Sequence, residues 1–176
     1  SLSGFELLGG YFYTLKIDAN DVIVQNTKVH ICGTTCIKVM TNNNVTLSNC
    51  AVYDSGSRFP QESDGILNLR SHNMVVRDCF VHDIAWRGIV IMGGARNALI
   101  ERNFIANVDK GISVGSRTDY TPIIATPENQ ELFESIDAVV RNNIVQTSQS
   151  SGIVLMGAKN TRVQHNTLVD VAQLSE

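Results

Sequence analysis

Short runs of alternating apolar and polar residues recur along the chain, and no stretch holds a 3.6-residue period between helix caps. The run at 22–29, Val-Ile-Val-Gln-Asn-Thr-Lys-Val, returns in related form at 45–52, 74–81, 98–105, 138–145 and 161–168. With Val24, Leu47, Val76, Ile100, Val140 and Val163 as markers, successive copies lie 23, 29, 24, 40 and 23 residues apart. The longer intervals place insertions at 55–63 and 116–135. A second run follows the first in most units, at 36–39, 65–69, 88–91, 111–114 and 152–155, rich in Val and Ile and bounded by Gly, Asn, Asp and Ser. This pattern predicts a solenoid whose repeat is two or three short strands joined by turns, and it excludes a helical solenoid.

Coils of this kind stack as parallel strands, so each position in the repeat becomes a column. One inward column reads Thr27, Cys50, Cys79, Asn103, Asn143, Asn166, in which stacked amides can pass hydrogen bonds from coil to coil. A turn column reads Asp21, Asn44, Asn73, Asn97, Asp137, Asn160, residue types that tolerate left-handed backbone. In these columns the chain resembles the right-handed parallel β-helices of the pectate-lyase-like superfamily, from Leu2 to Leu168. The resemblance implies an all-β, single-stranded right-handed parallel β-helix of about seven coils forming one domain over 1–176. Leu2 already falls in the Val24 column and the chain stops before a further second strand, so the expectation is an excerpt of a longer helix, incomplete at both ends. The superfamily carries lyases, hydrolases, epimerases, phage tailspikes and adhesins, and function has to be argued from the site.

Composition narrows the partners. A net charge of -3 offers no basic face for nucleic acid. No apolar run is long enough for a membrane span, and the N-terminal residues lack the pattern of a signal peptide. Four Cys are too few for a disulfide scaffold. Cys50 and Cys79 are expected as buried thiols on adjacent coils, with a coil-to-coil bridge as the alternative. Cys32 and Cys36 flank a three-residue turn that they would close as a small loop, and their spacing is poor evidence for zinc.

Three constellations carry candidate chemistry. His30, Tyr53 and His82 form an outward column with Asp54 and Asp83 beside it; a His–carboxylate pair suits a general base and Tyr a proton donor. The structural alternative is a ladder of rings that covers the strand. The column Thr35, Asp64, Arg87, Lys110, Ser151 lies next to Trp86 and the insertion 55–63. A cation there would neutralise a uronate carboxylate while a base takes the C5 proton. Alternatively, Arg87 pairs with Asp64 as an exposed charge ladder. The insertion 116–135 brings Arg117, Asp119, Tyr120, Glu128, Glu131 and Glu134, around a Leu132-Phe133 pair that would also fit a short packing helix. Met40, Leu67, Leu69, Val90, Met92, Val154 and Met156 read as an outward apolar stripe, to be covered by self-association, by another part of the protein or by the insertion. Asn68 falls in the inward register of its strand, so either it is a satisfied interior Asn or the register of that coil slips by one.

Within the superfamily the Asn-rich columns resemble those of alginate and chondroitin lyases, which implies a calcium ion held by Asn and Glu and a Lys and an Arg on successive coils. The matching segment, 64–70, offers Asn68 and Arg70 but no Glu, and Val90 and Met92 stand where the Arg is expected. No metal ligand is assigned, and calcium enters only through the resemblance. The resulting expectation is a secreted or cell-surface polysaccharide lyase or epimerase acting on an acidic glycan. Its catalytic candidates are Tyr53, His82, Asp83, Arg87 and Lys110; its substrate-binding candidates are His30, Asp64, Arg70, Trp86, Arg117 and Tyr120. The competing class is a non-catalytic surface or fibre-forming segment that binds through the apolar face.

Overall fold

The computed structural model describes residues 1–116, 127, 129, 130 and 132–172. The chain is a right-handed parallel β-helix. Its first face is a seven-stranded parallel sheet made of Leu2–Ser3, Ile23–Gln25, Thr46–Ser48, Val75–Arg77, Leu99–Glu101, Val139–Arg141 and Arg162–Gln164. The registers Leu2↔Val24, Val24↔Leu47, Leu47↔Val76, Val76↔Ile100, Ile100↔Val140 and Val140↔Val163 stack the marker residues in one column. Val24 to Val140 are buried, while Val163 is exposed in the last coil described.

The other two faces share one sheet, because three coils run through the corner without a break as Phe80–Met92, Phe104–Val114 and Ile144–Leu155. Earlier coils break there, into Lys28–Cys32 and Thr35–Met40, then Ala51–Ser55 and Asp64–Leu69. The turn column lies in left-handed backbone as expected, from Asp21 at φ 56° to Asn160 at φ 52°. Two further left-handed columns mark the other bends: Asn26, Asn49, Asp78, Arg102, Asn142, His165, and Ile31, Asp54, Asp83, Asn107, Thr147, Asp170. At Gly65, Gly88 and Gly111 a Cβ would clash with the carbonyl oxygen of the next glycine in the column, which keeps side chains out of that tight corner.

Inside, the Asn column works as a hydrogen-bonded ladder. Asn103 Nδ2 donates to Asn143 Oδ1 at 2.9 Å and Asn143 Nδ2 to Asn166 Oδ1 at 2.9 Å. Each amide also reaches the coil before it: Asn103 Nδ2 donates to Val76 O and Asn143 Nδ2 to Ile100 O, both at 3.0 Å. Cys79 N in turn donates to Asn103 Oδ1. The buried slot is thus fully satisfied, which is the condition for a polar group to stabilise a core. Cys50 and Cys79 occupy the same slot as free buried thiols, and the hydrogen bond with Cys50, then burial, push Cys79 up. Cys32 and Cys36 form a disulfide across their turn.

The insertion 116–135 returns to the stack through Glu134. Its carboxylate accepts from Gly93 N at 2.8 Å, and its backbone N–H donates to Gly157 O at 2.7 Å. Leu132 and Phe133 are not helical; the Asn129 side chain holds both polar groups of the Phe133 backbone. Glu134 is therefore an anchor in the fold.

Asn143→Ala removes one rung and leaves the Asn103 amide N–H buried without its acceptor. The expected loss is on the order of 3 kcal/mol, with native-like circular dichroism, measured by urea unfolding. A loss below about 0.5 kcal/mol would show that the ladder does not hold the coils.

Candidate functional site

The corner between the second and third faces is where successive coils differ in length. Phe80–Met92 pairs with Phe104–Val114 through Ile84↔Val108 and then Arg87↔Lys110, so Ala85 and Trp86 stand opposite Asp109 alone. One coil later Val108↔Ser148 is followed by Lys110↔Ser151, and Asp109 faces Gln149 and Ser150. On the other side, Ile84↔Ser55 and Arg87↔Asp64 bracket the insertion 55–63. A bulge re-aims the side chains it carries, and this one leaves Ala85 and Trp86 without paired partners within their strand.

Trp86 borders two cavities. One, of about 370 Å³, is lined by Phe12, Tyr13, Lys38, Glu62, Asp64, Leu67, Leu69, Trp86, Arg87 and Met92, with Thr34 and Thr35 from the disulfide turn. The other, of about 400 Å³, is lined by Pro60, Gln61, Ala85, Trp86, Asp109 and Gln149. Phe12, Tyr13, Lys38 and Glu62 were missed in the sequence. The available signal was register: Lys38 pairs with Leu67, and Leu67 with Val90, in the outward column.

The charged column is brought together, but in a different state from the exposed ladder expected. Arg87 and Asp64 are buried, with side chains 8% and 2% exposed, and joined by two hydrogen bonds, Nε to Oδ1 at 2.6 Å and Nη2 to Oδ2 at 3.0 Å. Arg87 also donates to Ser116 Oγ at 2.9 Å, and its guanidinium lies 3.8 Å from the Trp86 ring centroid. Burial pushes the Asp64 carboxyl up, against the pull of Arg87 and then of Lys38. Lys110 is neutralised by Asp109 at 2.7 Å. Lys38 differs from both: its Nζ donates to the Tyr13 hydroxyl at 2.8 Å, and among the described residues no carboxylate lies within ion-pair distance of it.

His30, Tyr53 and His82 stack face to face on the second face, with centroids 4.6 and 4.8 Å apart and interplanar angles of 14° and 6°. Phe80 extends the ladder, 4.1 Å from His82. Stacking uses the ring faces and leaves edges for solvent. His30 Nε2 meets Glu6 Oε1 at 3.1 Å, and His82 Nδ1 meets Asp83 Oδ2 at 2.7 Å. The Asp83 bend separates this ladder from Arg87 and Trp86, and neither cavity at Trp86 includes Tyr53 or His82. The five catalytic candidates thus fall into two groups on different faces. Arg70 sits at the left-handed end of its strand, at φ 62°. Arg117 and Tyr120 lie outside the described residues.

Asn68 does not fit a calcium ligand. It is fully buried in the register Val39↔Asn68↔Ile91, and its amide is spent on Ser71, accepting from N at 2.9 Å and donating to O at 3.2 Å. No group of three or more His, Cys, Asp or Glu suited to a metal occurs among the described residues. The apolar stripe is also altered. Lys38 and Ser113 interrupt the column of Leu67, Val90 and Val154. Val90 (0% exposed) and Leu67 (8%) are already buried within the single chain, while Met156 is 46% exposed. Leu67, Leu69 and Met92 form an apolar wall of the groove.

The family model described as the right handed beta helix region matches residues 15–173, and the chain belongs to that family. The fold is similar to the A-module of a mannuronan C-5 epimerase from Azotobacter vinelandii: 14% identity, TM-score 0.65, covering 91% of this chain and 50% of that one. It is also similar to the enzymatically active domain of tailspike protein 2 of bacteriophage CBA120, at 13% identity and TM-score 0.64, covering 88% and 24%. A third similar structure is a tailspike of E. coli bacteriophage HK620 in complex with a pentasaccharide, at 13% identity and TM-score 0.63, covering 94% and 32%. The chain thus spans half or less of these proteins. Comparison with curated protein sequences finds no match. Among the described residues no helix is long and apolar enough to cross a membrane.

Two expectations follow from the ion pairs. Arg87→Ala strands a buried carboxylate and should cost about 3–5 kcal/mol in chemical unfolding, whereas Lys110→Ala, at a partly exposed pair, should cost about 0–1 kcal/mol; equal costs would contradict the burial described. Asp83 is lowered by the Asn107 amide and then by His82, and Asp78 by the Arg102 guanidinium. Folded carboxyls that titrate below their unfolded values add stability that is complete above about pH 4 and is lost as pH falls through the folded pKa. Unfolding free energy should therefore fall on acidification below pH ~4, and Asp83→Asn should flatten that slope; an unchanged slope would exclude Asp83 as a contributor.

Proposed function

We propose that this chain belongs to a carbohydrate-active β-helix that acts on an acidic polysaccharide in the groove beside Trp86, by elimination or epimerisation. The observation that carries the reading is Lys38, the groove cation whose Nζ is hydrogen-bonded to the Tyr13 hydroxyl and which no carboxylate among the described residues meets at ion-pair distance, the nearby Asp64 being paired with Arg87. A uronate carboxylate placed at Lys38 is neutralised, which acidifies its C5 proton. Glu62, exposed on the groove wall at the end of the turn Pro60–Glu62, is the group in place to take that proton. In elimination, the C5–H electron pair forms the C4–C5 double bond, the C4–O bond breaks, and the Tyr13 hydroxyl protonates the leaving oxygen. In epimerisation a proton returns to C5 from the opposite side.

Hydrolysis calls for two carboxyl groups free to act on the glycosidic bond. This groove holds Glu62 and Asp64, and Asp64 is committed to Arg87, which favours the lyase or epimerase route. Arg87 and Lys110 then serve as framework, and Trp86 presents the aromatic surface on which a sugar ring packs. The names of the similar structures, an epimerase of mannuronan and a tailspike with a bound pentasaccharide, lend support at the level of substrate class. The Cys32–Cys36 disulfide fits a secreted or surface protein. The non-catalytic alternative draws less support, since the centre of the apolar stripe is covered within the chain.

The test is turnover of alginate, pectate and glycosaminoglycans by the full-length protein, read as absorbance of the unsaturated product and as epimer content by NMR. Lys38→Ala and Glu62→Gln should each lower turnover about 10²–10⁴-fold, while His82→Ala stays within a few-fold of the parent. Full activity in both groove variants, or its loss in His82→Ala alone, would move the chemistry to the aromatic ladder.

A further inference from the structure

The two cavities that meet at Trp86 differ in charge, and the difference bears on the sequence of sugars in the substrate. On the near side, Lys38 faces a groove that Glu62 and Asp64 also line; its Nζ donates to the Tyr13 hydroxyl and its charge acts on Asp64, which Arg87 holds, but among the described residues no carboxylate sits at ion-pair distance from it. On the far side, the lining is Pro60, Gln61, Ala85, Asp109 and Gln149. Lys110, 5.9 Å from the Trp86 ring centroid, is already bound to Asp109 at 2.7 Å, and Arg87 is bound to Asp64. Gln61 and Gln149 are exposed there, and each offers an amide donor and acceptor.

A saccharide unit in the far cavity would therefore meet amides and one satisfied carboxylate. A uronate in that position finds no uncommitted cation, because Lys110 is held by Asp109, and its carboxylate gives up water without a charged partner in return. A unit bearing hydroxyl or acetamido groups is instead matched by the amides. We propose that the substrate is a heteropolysaccharide in which an acidic unit on the Lys38 side is followed across Trp86 by an uncharged unit on the Gln61–Gln149 side, and not a homopolymer of uronate. This rests on the groove reading above and adds the charge pattern of the glycan.

The chain has a single tryptophan, and it lies between the two cavities, so intrinsic fluorescence reports occupancy directly. The experiment titrates the full-length protein, in the Glu62→Gln background that suppresses turnover, with size-matched octasaccharides. These are oligogalacturonate and oligomannuronate as homopolymers, unsulfated chondroitin and hyaluronan as alternating polymers, and a neutral cello-oligosaccharide. The alternating ligands are expected to bind at least about tenfold more tightly than the homopolymers. Gln149→Lys, which puts a free cation in the far cavity, is expected to cut that ratio by about tenfold. Homopolymers binding as tightly as alternating ligands would overturn this inference and leave the acidic-glycan reading standing. A ratio unmoved by Gln149→Lys would also overturn it. Binding of the neutral ligand alone, or of none, would overturn both.

Discussion

The backbone polar groups of each strand find their partners on the coils above and below, and this constraint organises the stack. A parallel stack leaves no freedom to slip by one residue, because a slip would turn the buried column outward. The Asn ladder enforces the same register from inside, since each amide bonds to its counterpart in the next coil and to a carbonyl in the previous one. Extra residues can leave the stack only where strands end or bend. The insertion 55–63 and the bulges at Trp86, Asp109 and Gln149 all leave at one corner. The groove is thus a consequence of regularity elsewhere.

The parts governed by repetition were legible in the sequence. The marker column, the Asn slot, the first left-handed turn column and the inward Asn68 all follow from period and residue type. The other two bends were harder to see, because Arg102, His165, Ile31 and Thr147 stand among their Asn and Asp residues and carry no turn signal. The site was legible only in fragments. Asp64, Arg87 and Lys110 were found through their column and Trp86 as its neighbour, but burial was not, and burial turns the Arg87–Asp64 pair from an exposed ladder into a buried clamp. Tyr13 lies before the first full repeat, and Lys38 lies in the run 36–39, where it stood among apolar residues. Only the stacking of Tyr13–Ile17 on Thr35–Met40 brings them to the same groove as Trp86.

Charge bookkeeping across the corner separates framework from chemistry. Two of its cations are neutralised by neighbours, Lys110 in a partly exposed pair and Arg87 in a buried one, and breaking the buried pair leaves an uncompensated charge inside the protein. The Arg87 guanidinium, held by Asp64, also fixes one face of the Trp86 indole. In the proposed reading the groups offered to a ligand are Lys38, the Tyr13 hydroxyl, Glu62 and the indole. The aromatic ladder of His30, Tyr53 and His82 has spent its ring faces on itself, and it is better suited to holding three coils in line than to receiving a sugar.

The most direct measurement is a crystal structure of the full-length Glu62→Gln protein with a bound acidic oligosaccharide. The account requires a sugar ring packed on Trp86 with its neighbour's carboxylate within hydrogen-bond distance of Lys38 Nζ, and Arg87 still paired with Asp64. A ligand seated over His30, Tyr53 and His82, or a carboxylate bound by an Arg87 released from Asp64, would contradict it.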